Sequence, residues 1–210
     1  MHAYSEELFE RFCRTNAISC ERVAAGSCPT PDFEIIVAGV RVTCELKQLD
    51  PNPEDLRVLA ELREGRATSV YVPNRLRGKL KRVSAQLKAA CSAGRPTILV
   101  VYDNTPFKSY TDHRDVIQAM FGGNSVTVSV PKDQSLPPLV SAPYFAGNRG
   151  VGPTWNTTVS AIAILEGGPQ EARGLRVYHN PYAAVRLAPE LFRGLPVSQP
   201  VLPNATEASF

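Results

Sequence analysis

The stretch that decides the fold is PDFEIIVAGVRVTCELK, residues 31–47. Apolar side chains alternate with other residues in both halves of it, which is the pattern of a half-buried strand. Ala38-Gly39 stands between the halves and is typical of a tight turn. The stretch therefore predicts a β-hairpin of two antiparallel strands.

Two carboxylates and a lysine should meet at the open end of this hairpin. Successive strand residues point to opposite faces, so Glu45 and Lys47 share one face, and Asp32 can approach Glu45 from the first strand. Mg²⁺ is usually held by one or two carboxylates together with water and phosphate oxygens. The pattern favours metal-assisted phosphodiester cleavage. Pro-Asp turns and Glu-x-Lys triplets are each common by chance, so neither motif is specific alone.

Together, in this order and behind an N-terminal helix, the motifs resemble the PD-(D/E)XK nuclease superfamily, the restriction-endonuclease-like phosphodiesterases. The resemblance covers roughly the first half of the chain. It implies an α/β fold with a restriction-endonuclease-like αβββαβ core, in which helices flank a central mixed sheet. It also implies that Asp32, Glu45 and the backbone carbonyl of Leu46 bind Mg²⁺ or Mn²⁺, and that Lys47 assists the nucleophile.

Many members of that superfamily add a glutamate from the first helix, and Glu6, Glu7 and Glu10 are the candidates here. The apolar residues of the predicted helix, 5–16, are Leu8, Phe9, Phe12 and Cys13. At about 100° per residue, Glu6 lies on the flank of that stripe and Glu7 nearly opposite it. We therefore expect Glu6 to face the site. The alternative for all three is an acidic first turn favoured by the helix dipole.

Residues 72–102 contain no acidic side chain. Apolar residues at helical spacing predict a helix over about 77–91. In the superfamily, a Gln or Lys of the helix after the Glu-x-Lys strand often points into the active site, which implies Gln86 here; an ordinary surface amide is the alternative. The residues expected to contact nucleic-acid phosphates are Arg75, Arg77, Lys79, Lys81 and Arg82. A solvated helix face is the alternative for these five.

Composition sets the remaining bounds. The net charge of +3 is only mildly basic, so nucleic-acid binding must come from local patches. Five cysteines without a Cys-x-x-Cys pair and three scattered histidines predict neither a disulfide framework nor a zinc site. No glycine-rich phosphate loop occurs. Without a long apolar run or a signal-peptide pattern, we expect a cytoplasmic protein with no membrane partner.

The chain should form one domain with a tail. Residues 1–103 are predicted to be the nuclease-like core, 104–195 a strand and loop extension of the same domain, and 196–210 a flexible tail. Further predicted elements are a strand at 19–24, a helix at 54–63 with Asn52 as N-cap, a buried strand at 97–102, a helix at 114–121, strands at 125–130, 158–165 and 174–178, and a loop at 131–153. The turn at His179-Asn180 is expected to be structural.

The function predicted from these features is a Mg²⁺- or Mn²⁺-dependent nuclease or endonuclease that acts on DNA rather than RNA, with a homodimer left open. One alternative is a catalytically silent nucleic-acid-binding or interaction module of the same fold. Another is an unrelated α/β domain whose acids and lysine are surface charges. That last alternative predicts that Asp32 and Glu45 lie beyond the reach of a shared metal, about 5 Å.

Overall fold

The computed structural model describes residues 4–24, 26, 29–67, 74–108, 110–133, 135–142, 144–168 and 171–202. The helices are α1 (Tyr4–Thr15), α2 (Pro53–Arg63), α3 (Arg75–Arg82), α4 (Ser84–Ser92), α5 (His113–Phe121) and a short 3-10 helix (Pro189–Phe192). The strands are β1 (Ser19–Arg22), β2 (Phe33–Val37), β3 (Val40–Leu49), β4 (Thr97–Asp103), β5 (Gly123–Ser125), β6 (Val128–Ser129), β7 (Leu139–Val140), β8 (Tyr144–Ala146), β9 (Ala161–Gly168), β10 (Glu171–His179) and β11 (Val197–Ser198). None of the described helices has the length and apolar character that a membrane crossing requires.

Within the described residues, seven strands form one sheet in the order β1-β2-β3-β4-β9-β10-β11. The β1/β2, β2/β3 and β9/β10 pairs are antiparallel, whereas β3/β4, β4/β9 and β10/β11 are parallel. Every residue of β4 is buried, as predicted for a strand covered on both faces. The prediction of an α/β fold with a mixed sheet flanked by helices is confirmed.

The two faces of the sheet carry separate cores. One face packs against α1 through Phe9, Phe12, Phe33, Cys44 and Leu46, among others. The opposite face packs against α3, α4 and α5 through Leu76, Leu80, Leu87, Leu99 and Met120, among others. Because side chains alternate along β3, Glu45 and Lys47 point to the α4 side, away from α1.

The hairpin predicted over residues 31–47 is confirmed. Ala38 has φ 47° and Gly39 has φ 79°, the left-handed conformations that both central residues of a type I′ turn require. The resulting register pairs Phe33 with Cys44 and Val37 with Val40. Asp32 therefore stands at the open end of the hairpin, next to the middle of β3.

The helix α2 begins where the sequence predicted, with Asn52 as its N-cap. The Asn52 side chain accepts a hydrogen bond from the Asp55 N–H at 2.8 Å, and the Asp55 carboxylate accepts one from the Asn52 N–H at 2.8 Å. This reciprocal capping box satisfies two backbone donors at the helix start. Asp55 also accepts a hydrogen bond from the Tyr110 hydroxyl at 2.5 Å, which ties α2 to the chain after β4.

The single basic helix predicted over 77–91 is instead two helices, α3 and α4, interrupted at Val83. The Val83 side chain is fully buried in the core. The Ser84 hydroxyl bonds the Thr158 hydroxyl at 2.9 Å. This hydrogen bond to a residue 74 positions away accompanies the break.

The strand predicted at 125–130 is also wrong in detail. β5 pairs with β8, and β6 pairs with β7, so two short ribbons replace the one predicted strand. Both β7 and β8 lie in the predicted loop 131–153. Gly122 permits this arrangement, since it has φ 95° and a Cβ there would lie 2.4 Å from the Ala146 carbonyl oxygen.

The predicted flexible tail, 196–210, begins inside the sheet. β11 pairs in parallel with β10, and Val197 stands opposite Leu175. A strand of two residues has too short a sequence pattern for its pairing with β10 to be predicted. Residues 203–210 lie outside the described residues.

Candidate active site

Asp32 is fixed against β3 by the backbone. Its Oδ2 accepts a hydrogen bond from the Leu46 N–H at 2.6 Å, and its own N–H donates to the Cys44 carbonyl at 3.1 Å. The N–H and C=O of one strand residue point to the same edge of the strand. The Leu46 carbonyl therefore faces the edge at which Asp32 lies.

Glu45 is 1% exposed, although it carries a carboxylate. Its Oε1 accepts hydrogen bonds from the Lys47 ammonium and from Gln86 Nε2, the latter at 3.0 Å. Its Oε2 is buried and has no hydrogen-bond partner among the described residues. A buried charged oxygen without a donor is costly, so this atom stands where a bound cation would compensate it.

Burial raises the pKa of both acids. For Asp32 the loss of hydration is the largest cause, and the Leu46 N–H and the Lys47 charge oppose it. For Glu45 burial is again the largest cause; the Lys47 hydrogen bond lowers its pKa and the negative charge of Asp32 raises it, while the Asp32 N–H, which donates to the Cys44 carbonyl, lowers it least. The influence of Asp32 on Glu45 indicates that the two carboxylates share one electrostatic environment. Glu45 is also buried, so it is not one of the surface charges that the alternative of an unrelated α/β domain requires.

Lys47 and Gln86 meet Glu45 from two different elements. Lys47 comes from β3 itself, and its side chain is 26% exposed, so the ammonium stands between Glu45 and solvent. Gln86 reaches the carboxylate from α4, and its own Oε1 is buried with no hydrogen-bond partner among the described residues. The structure therefore brings together four of the predicted site residues: Asp32, Glu45, Lys47 and Gln86.

Glu6 lies on α1 and is ion-paired with Arg22 of β1. Arg22 also pairs with Glu10 at 2.8 Å and lies over the Phe33 ring, 4.8 Å from its centroid. The charge of Glu6 raises the pKa of Asp32. Glu6 is thus within electrostatic range of Asp32, while its carboxylate is engaged by an arginine. Glu7 is exposed, as its position opposite the apolar stripe predicted.

Arg22 is the residue that sequence reasoning missed. The register of β1 against β2 places Arg22 opposite Phe33, the residue after Asp32. Its positive charge lowers the pKa of Asp32. No local motif marks an arginine in a four-residue strand, and only the pairing of two strands brings it here.

Two of the five residues that were predicted to contact phosphate, Arg75 and Arg77, bind other groups of this protein. Arg75 pairs with Asp55 at 3.5 Å and lies over the Tyr110 ring, 4.8 Å from its centroid. Arg77 donates to the Gln118 carbonyl at 3.0 Å. Both guanidinium groups therefore help to join α3 to its neighbours.

The other three basic residues are Lys79, Lys81 and Arg82. Burial lowers the pKa of Lys79, and the positive charge of Lys47 lowers it further. Lys79 is thus within electrostatic range of Lys47. Lys81 and Arg82 are exposed.

The turn at His179-Asn180 is built as a structural turn. Asn180 is buried; its amide donates to the Val159 carbonyl at 2.8 Å and its Oδ1 accepts from the Tyr182 N–H at 3.0 Å. His179 Nε2 lies 2.6 Å from Gln199 Oε1. Both side chains therefore stabilise the surrounding loops and are not part of the site formed by Asp32 and Glu45.

Within the described ranges, no group of three or more His, Cys, Asp or Glu side chains converges. A metal here would rely on two carboxylates and backbone or water oxygens. Comparison of the chain with protein-family models, with curated proteins and with solved structures finds no match. The geometry of the site is therefore the basis for a functional proposal.

Proposed function

We propose that this chain is a metal-dependent phosphodiester hydrolase, a nuclease acting on DNA. The observation that carries the proposal is the buried Oε2 of Glu45, which has no hydrogen-bond partner among the described residues, while Lys47 and Gln86 both bind the other oxygen. Most buried polar atoms have a hydrogen-bond partner, so this carboxylate oxygen needs an explanation, and a bound cation would supply one.

The residues fit Mg²⁺ or Mn²⁺. Hard divalent cations take oxygen ligands, and Asp32, Glu45 and the Leu46 carbonyl would supply three of them. The raised pKa values of both acids indicate negative charge that the protein compensates incompletely. When bound, such an ion would polarise a phosphate oxygen and lower the pKa of a water molecule.

The side chains around the pair have separable tasks. Gln86 holds Oε1 of Glu45 from α4, so the orientation of the carboxylate does not depend on Lys47 alone. Lys47 is partly exposed and can then donate to the attacking water or to a phosphate oxygen. The Leu46 N–H keeps Asp32 at the edge of β3.

A polyanionic substrate would approach past α3. Lys79, Lys81 and Arg82 lie on that helix; residues 72–102 contain no acidic side chain, and Asp50 acts on Lys79 from outside this range. Contacts of lysine and arginine with phosphates supply most sequence-independent affinity for nucleic acids. This arrangement favours a nuclease whose affinity for nucleic acid falls as the salt concentration rises.

The order of elements supports the same proposal for the fold. α1, β1, β2, β3, a helix and β4 follow one another as in the αβββαβ core of the PD-(D/E)XK superfamily. The chain departs from that order by inserting α2 after β3 and by dividing the next helix at Val83. The first departure lengthens the path between the Glu-x-Lys strand and the basic helix.

The test is cleavage of single- and double-stranded DNA and RNA with Mg²⁺ or Mn²⁺. The parent should cut DNA, and Asp32→Ala and Glu45→Gln should reduce the rate by at least about a thousandfold, since each removes a metal ligand. The matched control is Asp133→Ala, which removes an exposed aspartate and should cut like the parent.

Equal cleavage by Asp32→Ala and the parent would show that the activity comes from another site or a contaminant. If no variant cuts but all bind DNA, the catalytically silent nucleic-acid-binding module becomes the better proposal. The ion pair between Glu6 and Arg22 is the observation that favours this second function, because it occupies an acid that the superfamily directs to the metal.

A further inference from the structure

Two cysteine side chains meet between α1 and β1. Cys13 lies in the last turn of α1 and is fully buried, and Cys20 lies in β1 and is half-buried. Both are free thiols. The chain turns directly from the helix into the strand, because the Ile18 N–H donates to the Cys13 carbonyl at 2.8 Å. The turn therefore brings the start of β1 next to the end of α1.

The register of the sheet directs Cys20 towards α1. Cys20 stands opposite Ile35 in the β1/β2 pairing. Residues directly opposite each other in an antiparallel pair project to the same face of the sheet. Ile35 is buried in the core against which α1 packs, and Cys13 belongs to the same core. Cys20 packs against that core and is the only residue of β1 that is not exposed.

The two thiols are in contact and are chemically unequal. The Cys13 thiol donates a hydrogen bond to the Cys20 sulfur, and this bond lowers the pKa of Cys20. Burial and the charge of Glu10 oppose that effect, while the charge of Arg22 adds to it. The same hydrogen bond raises the pKa of Cys13, and burial raises it further. Cys20 is thus the more exposed of the two thiols and the one that ionises first.

A thiolate beside a second thiol has a defined chemistry. The thiolate is the nucleophilic form of cysteine, and oxidants convert it to a sulfenic acid. A neighbouring thiol then condenses with the sulfenic acid to give a disulfide. The new bond requires the two sulfurs to approach to about 2.05 Å, and hydrogen-bonded thiols are already neighbours.

We propose that Cys13 and Cys20 form a redox modification site, which hydroperoxides convert to a reversible disulfide. The Cys20 thiolate attacks the terminal peroxide oxygen, the O–O bond breaks, and the other oxygen leaves and takes a proton from solvent. The Cys13 sulfur then attacks the Cys20 sulfur, the S–O bond breaks, and the hydroxyl group leaves as water with the Cys13 proton. The two thiols together lose two electrons, which the peroxide gains. The inference stands whether or not the chain cleaves nucleic acid.

The experiment is treatment of the reduced full chain with hydrogen peroxide, then alkylation of the remaining thiols, digestion with trypsin without reductant, and mass spectrometry. Trypsin cuts after Arg11, Arg14 and Arg22, so the two cysteines fall in separate peptides, residues 12–14 and 15–22. The parent should give these peptides joined, lighter than their sum by two hydrogen atoms, and dithiothreitol should separate them. Cys20→Ser should abolish the joined pair.

Cys91→Ser is the matched control. Cys91 is half-buried like Cys20, but burial raises its pKa. This variant should form the Cys13–Cys20 disulfide like the parent. The order of attack has its own readout, since brief alkylation of the reduced parent with iodoacetamide should label Cys20 at least about tenfold faster than Cys13.

A parent that yields no joined peptides overturns the proposal, as does a disulfide through Cys28, Cys44 or Cys91 in their place. Alkylation of Cys13 as fast as Cys20 would contradict the assignment of Cys20 as the attacking thiol. Circular dichroism establishes that each variant is folded. If Cys20→Ser unfolds, Cys20→Ala takes its place, because it removes the thiol without placing a hydroxyl against the core.

Discussion

Addition of Mg²⁺ should stabilise the folded chain, and Asp32→Asn should remove that stabilisation. Glu45 is buried and Asp32 half-buried, and the charges of both carboxylates are incompletely compensated, with Oε2 of Glu45 lacking a partner among the described residues. A cation that binds the folded state between them, and has no equivalent site in the unfolded chain, shifts the unfolding equilibrium by mass action. The amide in the variant keeps the shape of Asp32 and loses its charge.

The size of the effect follows from occupancy. A metal concentration a hundredfold above the dissociation constant stabilises a protein by about 2.7 kcal/mol. For a chain of 210 residues, that corresponds to a rise in Tm of roughly 5–10 °C. If the loss of one charged ligand weakens binding a hundredfold, the variant retains about 0.4 kcal/mol, a shift of about 1 °C.

The pH dependence has a definite sign. Metal binding requires both carboxylates to be deprotonated, and the pKa of each is raised above its ordinary value, 3.8 for Asp32 and 4.5 for Glu45. The Mg²⁺-induced rise in Tm should therefore shrink as the pH falls, starting above the ordinary carboxyl range. Without metal the trend reverses: the unfolded chain releases these protons first, so stability falls as the pH rises from the ordinary to the raised pKa values.

Thermal melts with and without Mg²⁺ at several pH values make the measurement, with Asp133→Asn as the control because Asp133 is fully exposed to solvent. The control should gain as much from Mg²⁺ as the parent. A parent with no Mg²⁺-dependent shift at neutral pH, or an Asp32→Asn variant with the full shift, would refute the assignment of the metal site. Because the readout is stability, the result does not depend on knowing the substrate.

Three further predictions test other parts of the structure. Lys47→Ala should slow single-turnover cleavage by about 10²–10⁴-fold while keeping the Mg²⁺-induced rise in Tm; loss of that rise would make Lys47 part of metal binding instead. Replacing Lys79 and Lys81 by Ala should reduce the slope of log affinity against log salt by about one for each phosphate that is no longer bound, and an unchanged slope would remove α3 from the binding surface. Asn180→Ala should cost about 2–4 kcal/mol in urea unfolding, because it leaves the Tyr182 N–H and a buried carbonyl without their partner; a change under about 0.5 kcal/mol would contradict its structural role.

The parts of the fold that the sequence predicted are those set by local chemistry. Alternation within 31–47 and the Ala38-Gly39 turn determined the hairpin and with it the register. Asn52 marked the start of α2, and the apolar run before Asp103 marked the central strand. Each of these depends on neighbours within a few residues.

The parts that the sequence did not predict depend on distant partners. The break at Val83 accompanies a hydrogen bond between Ser84 and Thr158, which are 74 residues apart. The pairing of β11 with β10 and the division of 125–130 into two ribbons also need strands that are remote in the chain. At the site, the interaction of Glu45 with Gln86 could be expected only from a family resemblance. No feature of the sequence indicated that Arg22 lies near Asp32.

The break between α3 and α4 separates two groups of residues in the proposed active site. The basic residues that would meet a long polyanion belong to the helix before Val83, whereas the amide that steadies Glu45 belongs to the helix after it. Substitutions in α3 would therefore test the affinity for substrate, and substitutions of Gln86 would test the alignment of the carboxylate.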